Sequence, residues 1–328
     1  MRAPPPSRGR ILVAAEQPFS LAYDCVLPDY EDAVSMLRGF RRGGARFVPG
    51  MALFHRLHAD ARYEVLFETP GVLSIGLNAV SGRVVCATAT ELERAYFVIG
   101  DVVAHACGHA AFVHERDFPF ALDDLADVWP RLMEETERLL GEAHAGDWTA
   151  LLFASSEHPP GRPGAGFALP RGALVSVSAD DDTLATSHTL WLLLHERIHQ
   201  WLGCAIGRTS PADDWFFEGF TNFLTCEALQ RAGRLPRPAL ARLVALSRRA
   251  VREAGASIEP ALAHRGFLAA RRWDAQLARQ SHALAEILAR LLVARRGETL
   301  DGAGLLAALR RRARWRIPDF VRALAAAG

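Results

Sequence analysis

Apolar residues recur with two periods along this chain, and the change from one to the other marks its organisation. From residue 10 to about 115 they fall in short runs rich in β-branched and aromatic side chains: Ile11-Leu12-Val13, Tyr63–Phe67, Val72–Leu77, Arg83–Thr88 and Tyr96–Ile99. Pro70-Gly71 and Ser81-Gly82 supply turns, so this part reads as a β-rich domain with one helical insertion over about 30–42. Leu122, Leu125, Val128, Leu132, Leu139 and Leu140 then repeat at helical spacing and predict an amphipathic helix over 120–143. Trp148–Ser155 and Ala173–Ser178 read as strands of a small sheet, joined by a proline- and glycine-rich loop over 158–166. A helix follows through Thr189–Leu194, Ile198, Trp201 and Leu202, with Ser187 suited to cap its start and Gly203 to end it. Asp213 and Asp214 suit the N-terminus of the next helix, whose apolar positions run through Phe217, Phe220, Leu224 and Ala228. From about 236 the text is Ala-, Leu- and Arg-rich and helical to near 326.

The pattern predicts an α+β protein. Residues 1–9 form a flexible proline- and arginine-rich tail, 10–115 a β-rich N-terminal domain, 116–235 a domain of mixed strand and helix, and 236–328 an all-helical C-terminal part. Half of the 328 residues are hydrophobic, enough for a substantial core. Net charge is +1, so no strong field draws the chain to nucleic acid or acidic membranes. Every basic residue is arginine, which reads as a coding bias, and Arg310-Arg311-Arg312 with Arg314 and Arg316 reads as a solvated helix end. Cys25, Cys86, Cys107, Cys204 and Cys226 are odd in number and scattered, as expected in a reducing compartment. No run has the ~20 apolar residues of a membrane span, and the N-terminus lacks the apolar core of a signal peptide. The expectation is a cytoplasmic protein with no obligate protein partner.

The chemistry concentrates in His195-Glu196-Arg197-Ile198-His199, followed by Glu218. Imidazoles four residues apart on a helix share a face and can reach one ion. Glu196 lies beside the first and can turn toward whatever that ion binds. Catalytic zinc needs three protein ligands and an open fourth position, and Glu218, on the next helix, can supply the third. A second cluster, His105, Cys107 and His109, has period two on a strand, with His114 following; its spacing matches no standard zinc ligand set. His55 and His58 carry no discernible signal.

His195-Glu196-x-x-His199, eighteen intervening residues and then Phe217-Glu218-Gly219-Phe220-Thr221 resemble the gluzincin pattern, and within it the glycyl aminopeptidase family, whose relatives include the larger aminopeptidase N-like enzymes. The specific match covers 191–225, with a looser one over about 120–300. The resemblance implies a thermolysin-like catalytic domain holding one zinc ion on His195, His199 and Glu218, with Glu196 as general base. It implies a zinc-dependent peptidase, aminopeptidase-like, acting on a peptide or small-molecule substrate; the alternatives are a zinc hydrolase of another bond and a catalytically impaired binding module. Asn222 stands where such enzymes often place a carboxylate behind a metal-binding histidine. The oxyanion-stabilising tyrosine of the relatives is absent: Tyr23, Tyr30, Tyr63 and Tyr96 all precede the motif, which leaves His282 or Arg279 as candidates. The relatives' amine-anchoring glutamate would fall near Phe167, within Gly164–Ala168; Glu157 lies just upstream, and Gly164 and Gly166 can admit a substrate backbone.

Overall fold

The computed structural model describes residues 27–29, 39–54, 62–66, 72–77, 79–80, 83–140, 147–155, 164–179, 183–254, 261–279 and 281–313. Its strands are β1 (Phe40–Arg42), β2 (Ala45–Pro49), β3 (Arg62–Leu66), β4 (Val72–Ile75), β5 (Ala79–Val80), β6 (Arg83–Thr88), β7 (Tyr96–Gly100), β8 (Val102–Cys107), β9 (Ala110–Glu115), β10 (Trp148–Ser155), β11 (Gly164–Leu169), β12 (Gly172–Ser178), β13 (Gly207–Arg208) and β14 (Thr299–Leu300). The helices are α1 (Gly50–Leu53), α2 (Ala89–Arg94), α3 (Asp123–Leu140), α4 (Ser187–Ile198), α5 (Asp214–Arg231), α6 (Arg237–Ala254), α7 (Leu262–Ala278), α8 (Leu284–Ala294) and α9 (Gly302–Ala313). None is long and apolar enough to cross a membrane.

A five-stranded sheet, ordered β11-β12-β10-β9-β8, is the centre of the fold. β10 pairs in parallel with β9 and β12, and a strand covered on both faces reads as a continuous apolar run, here Leu151-Leu152-Phe153-Ala154. Successive side chains point to opposite faces. Leu152 and Trp148 pack with Leu125, Trp129 and Leu193 in the helical core, whereas Leu151 and Phe153 pack with Phe40, Phe47 and Val98 of a four-stranded sheet, β1-β2-β7-β4. Phe40 stacks on Phe47 at 4.8 Å, and Phe153 meets both edge-on.

Several expectations change here. The end of the helix expected over 30–42 is a strand: β1 pairs with β2 and sends Phe40 into that aromatic cluster, a tertiary contact that overrides local pattern; residues 30–38 lie outside the described set. The boundary drawn at 115 falls inside the five-stranded sheet, because β8 and β9 pair onward to β10. The last residues of the loop expected over 158–166 begin β11. Thr186, not Ser187, caps α4, accepting the Thr189 amide. Pro130 sits inside α3 and cannot donate to the Ala126 carbonyl four residues back; the Cys107 thiol, 3.5 Å away, supplies that donor. Ile11–Val13, Pro70-Gly71, Ser81-Gly82 and residues 314–328 lie outside the described residues.

Candidate metal centre

Helix α4 is buried almost all round, because one side lies on β11 and β12 and the other meets α5. The helix ends at Ile198, earlier than the Gly203 stop expected. His199 is its C-cap and keeps helical backbone angles (φ −59°, ψ −16°), so the two histidines still share a face. The chain then turns back through residues 199–206. Asp213 fixes the start of α5: its carboxylate accepts from the Gly302 amide at 2.7 Å and from the Thr209 hydroxyl at 2.9 Å. Further along, Gly219 and Gly266 let α5 and α7 touch backbone to backbone, since a Cβ at Gly266 would lie 1.6 Å from the Trp215 carbonyl oxygen. This packing sets Glu218 opposite the histidines.

Three donor atoms converge there. His195 Nε2 and Glu218 Oε2 are 3.2 Å apart, His199 Nε2 and the same oxygen 3.4 Å, and the two Nε2 atoms 3.0 Å. Tetrahedral ligands at about 2.0–2.1 Å from zinc stand about 3.3–3.4 Å from one another. The donor set therefore fits one such ion closely. The tautomer fits as well: His199 Nδ1–H donates to the Leu202 carbonyl at 2.8 Å, so Nε2 is the nitrogen turned toward Glu218 and available to an ion. Trp191 stacks on His195 at 4.9 Å and fixes the plane of that ring.

Electrostatics favour positive charge at the same point. Burial presses the His199 imidazole toward neutrality, but Glu218 beside it outweighs that and lifts its pKa to about 9. Burial equally works against the Glu218 carboxylate, yet hydrogen bonds from both imidazoles hold it well below the usual carboxylate range. Glu196 is also buried, and burial pushes its carboxyl up, with the histidines opposing and Glu218 adding to the shift. Its carboxylate lies against the backbone of β11: a Cβ at Gly166 would sit 2.2 Å from Glu196 Oε1.

β11 is an edge strand, antiparallel to β12. Gln200 locks its turn to the end of α4. The amide nitrogen donates to the Leu169 carbonyl at 2.8 Å and the Gly172 carbonyl at 3.2 Å, while its oxygen accepts from the Arg171 amide at 2.8 Å. Sequence reasoning passed over Gln200; a polar residue directly after the second histidine, amid apolar neighbours, was the available signal.

A cleft of about 500 Å³ opens over the three donors, walled by Gly166, Phe167, Glu196, Phe217, Asp214 and Arg208. Arg208 and Asp214 pair across its rim. Neither was picked out for the cleft from sequence, because one lies on a two-residue strand and the other read as a helix-start acid. His282 and Arg279 are exposed on the turn after α7 and do not line this cleft. Gly164 lies beside Leu192 and His188 on α4. The Asn222 Oδ1 and the His195 Nδ1 are both buried without a partner among the described residues. Glu157 lies outside the described residues. Among the described residues, the His105 cluster does not converge on a point, and His195, His199 and Glu218 form the one group of potential metal ligands whose donor atoms lie within 4.8 Å of one another.

No protein-family model matches the sequence, and no curated protein does. Solved structures are similar in fold. An aminopeptidase N family protein from Idiomarina loihiensis superposes with a TM-score of 0.71 at 17% identity, over 87% of this chain and 59% of that one. Native leukotriene A4 hydrolase from Saccharomyces cerevisiae gives 0.58 at 14%, over 81% and 47%. An M1 zinc metallopeptidase from Deinococcus radiodurans gives 0.53 at 14%, over 84% and 68%. The chain thus spans between 47% and 68% of the length of these three proteins and shares the mixed α/β fold of the M1 aminopeptidases.

Proposed function

We propose that this chain is a zinc-dependent peptidase. The observation that carries the reading is the triangle of His195, His199 and Glu218 donor atoms, 3.0–3.4 Å on a side, with buried Glu196 next to it. His195, His199 and Glu218 would hold the ion. Zinc bound there would polarise a scissile carbonyl and lower the pKa of a water to about 7. Glu196 accepts the proton of the attacking water and returns it to the departing amine, a task suited to a carboxyl whose pKa burial has raised. The edge of β11, unpaired among the described residues, takes the substrate as an added strand, and Gly166 lets that strand approach the Glu196 carboxylate. Asn222 Oδ1 and His195 Nδ1 are each buried without a partner among the described residues, and a hydrogen bond from His195 Nδ1–H to Asn222 would hold the tautomer and satisfy both. Arg208, paired with Asp214 at the rim, is the arginine of the cleft lining, and it takes the oxyanion role that the sequence offered to His282.

The aminopeptidase-like part of the reading rests on resemblance alone, because Phe167 stands where an acid would hold a free amine. A zinc hydrolase of another bond is the second reading, favoured by the similarity to a leukotriene A4 hydrolase. A pure binding module has no use for a buried carboxylate beside the ion. Metal analysis by mass spectrometry together with a peptide-library digest tests the proposal. One zinc per chain and cuts at free N-termini support an aminopeptidase, and internal cuts an endopeptidase. Bound zinc without any cut removes the peptidase reading and leaves the second one.

A further inference from the structure

A second cavity, of about 860 Å³, adjoins the metal cleft. Phe167, Ala168, Gly203, Cys204 and Arg208 line both, so one ligand can occupy the two together. Its far wall comes from the N-terminal sheet and its connections, through Pro49, Met51 and Tyr96, and its floor from Leu169 and Leu174. Met51 is 68% exposed and Phe167 44% exposed, two of the few large apolar side chains that the described residues leave to solvent, and both face this cavity. Large exposed apolar groups gathered round one hollow mark a binding surface, and the volume suits a ligand group. The charged residues of the lining are Glu93, Arg94, Arg208 and Glu298, two acids and two arginines, so charge gives no net preference for an ion.

We infer that this cavity is a subsite for an apolar side chain of the substrate, two to four residues from the bond that is cut. The inference rests on the peptidase reading and adds the substrate class: peptides that extend well beyond the scissile bond on one side and carry a leucine- or phenylalanine-sized residue there. The spacing follows from β11. Gly166 lies at Glu196, whereas Phe167 to Pro170 line the cavity. A strand added alongside advances about 3.3 Å per residue, so a group seated there is a few residues along from the carbonyl held at Glu196.

The test separates binding from turnover. Zinc-loaded Glu196→Gln protein is titrated calorimetrically with free-ended octapeptides of serine and glycine in which a single leucine is moved from position to position. One or two adjacent positions are expected to bind about tenfold or more tightly than the leucine-free peptide, the value of burying one such side chain. Ala205→Phe, which fills the cavity from the loop side, and Met51→Ser, which strips its far wall, should each reduce that gain to about twofold or less and leave the leucine-free peptide unchanged. Met51 is a surface residue, so its variant keeps the test valid should Ala205→Phe fold poorly. A flat leucine scan, no binding by any peptide, or a gain that survives both variants overturns the inference. Hydrolysis by the wild-type protein is scored separately: cleavage with a flat scan sinks the subsite alone, and a position-dependent gain without cleavage sinks the peptidase reading alone.

Discussion

His195 and His199 are separated by one helical turn, whereas His105, Cys107 and His109 are separated by one strand period each. In both segments the sequence puts metal-binding side chains on a common face. Along a helix, residues at i and i+4 lie about 6 Å apart at Cβ and lean the same way, so their tips can meet. Along a strand, residues at i and i+2 stand about 7 Å apart with parallel side chains, and their tips stay apart. The described structure adds to that difference. Glu218 arrives from α5 to close the first group. In the second, His109 leaves the strand for the turn and lies 3.8 Å from Asp147, Cys107 turns inward to the Ala126 carbonyl, and His105 meets His114 only through stacked ring faces 5.1 Å apart. Shared face is a weaker condition than shared point, and only a second element can turn the one into the other.

The comparison breaks most directly at the ligands. His199→Ala should lower zinc affinity by more than about a hundredfold, beyond the usual cost of losing an outer partner, and abolish hydrolysis; unchanged zinc occupancy by mass spectrometry would place the ion elsewhere. Glu196→Gln should keep the metal and lower kcat by about 10²–10⁴-fold. Near-wild-type turnover in that variant removes Glu196 as the base. Gly166→Ala pushes a methyl group into the Glu196 carboxylate, and a displacement of about 1 Å at a reacting group costs about a hundredfold in rate. Zinc content should hold while kcat falls, and equal kcat would mean the carboxylate points elsewhere in the working enzyme. Asn222→Ala should weaken zinc binding about tenfold, read by competition with a chelator.

The strand cluster should give the smallest effects. His105→Ala should leave zinc stoichiometry at the wild-type value. His114 adds a pH signature without a metal: burial lowers its pKa, so as pH falls the unfolded chain takes up a proton near 6.5 before the folded state does. Its stabilising share is present above that pH and is lost as pH falls below it. His114→Phe keeps the stack with Phe118 and should flatten the urea-unfolding stability curve below about pH 6.5 relative to wild type; parallel curves would show that His114 does not titrate on unfolding.

The ligand types, their helical spacing and the carboxylate beside them could be read from the chain, because helix periodicity is local and fixes which side chains share a face. Strands β6, β7, β10 and most of β12 were legible for the same reason. What was missed depends on partners distant in sequence. Phe40 is in a strand because Phe47 and Phe153 await it. β8 and β9 join the central sheet because β10 pairs with β9. Arg208 lines the cleft from β13, which pairs with the distant β14, while Asp214 reaches it from the start of α5 and His282 stays outside it. The sequence by itself therefore determined which groups could bind an ion and on which side of their helix. Only the tertiary structure decided that they meet within 3.4 Å, that Glu196 lies against an edge strand, and that a second cavity opens beside it, since each of these depends on backbone approach between segments whose separation no local pattern encodes.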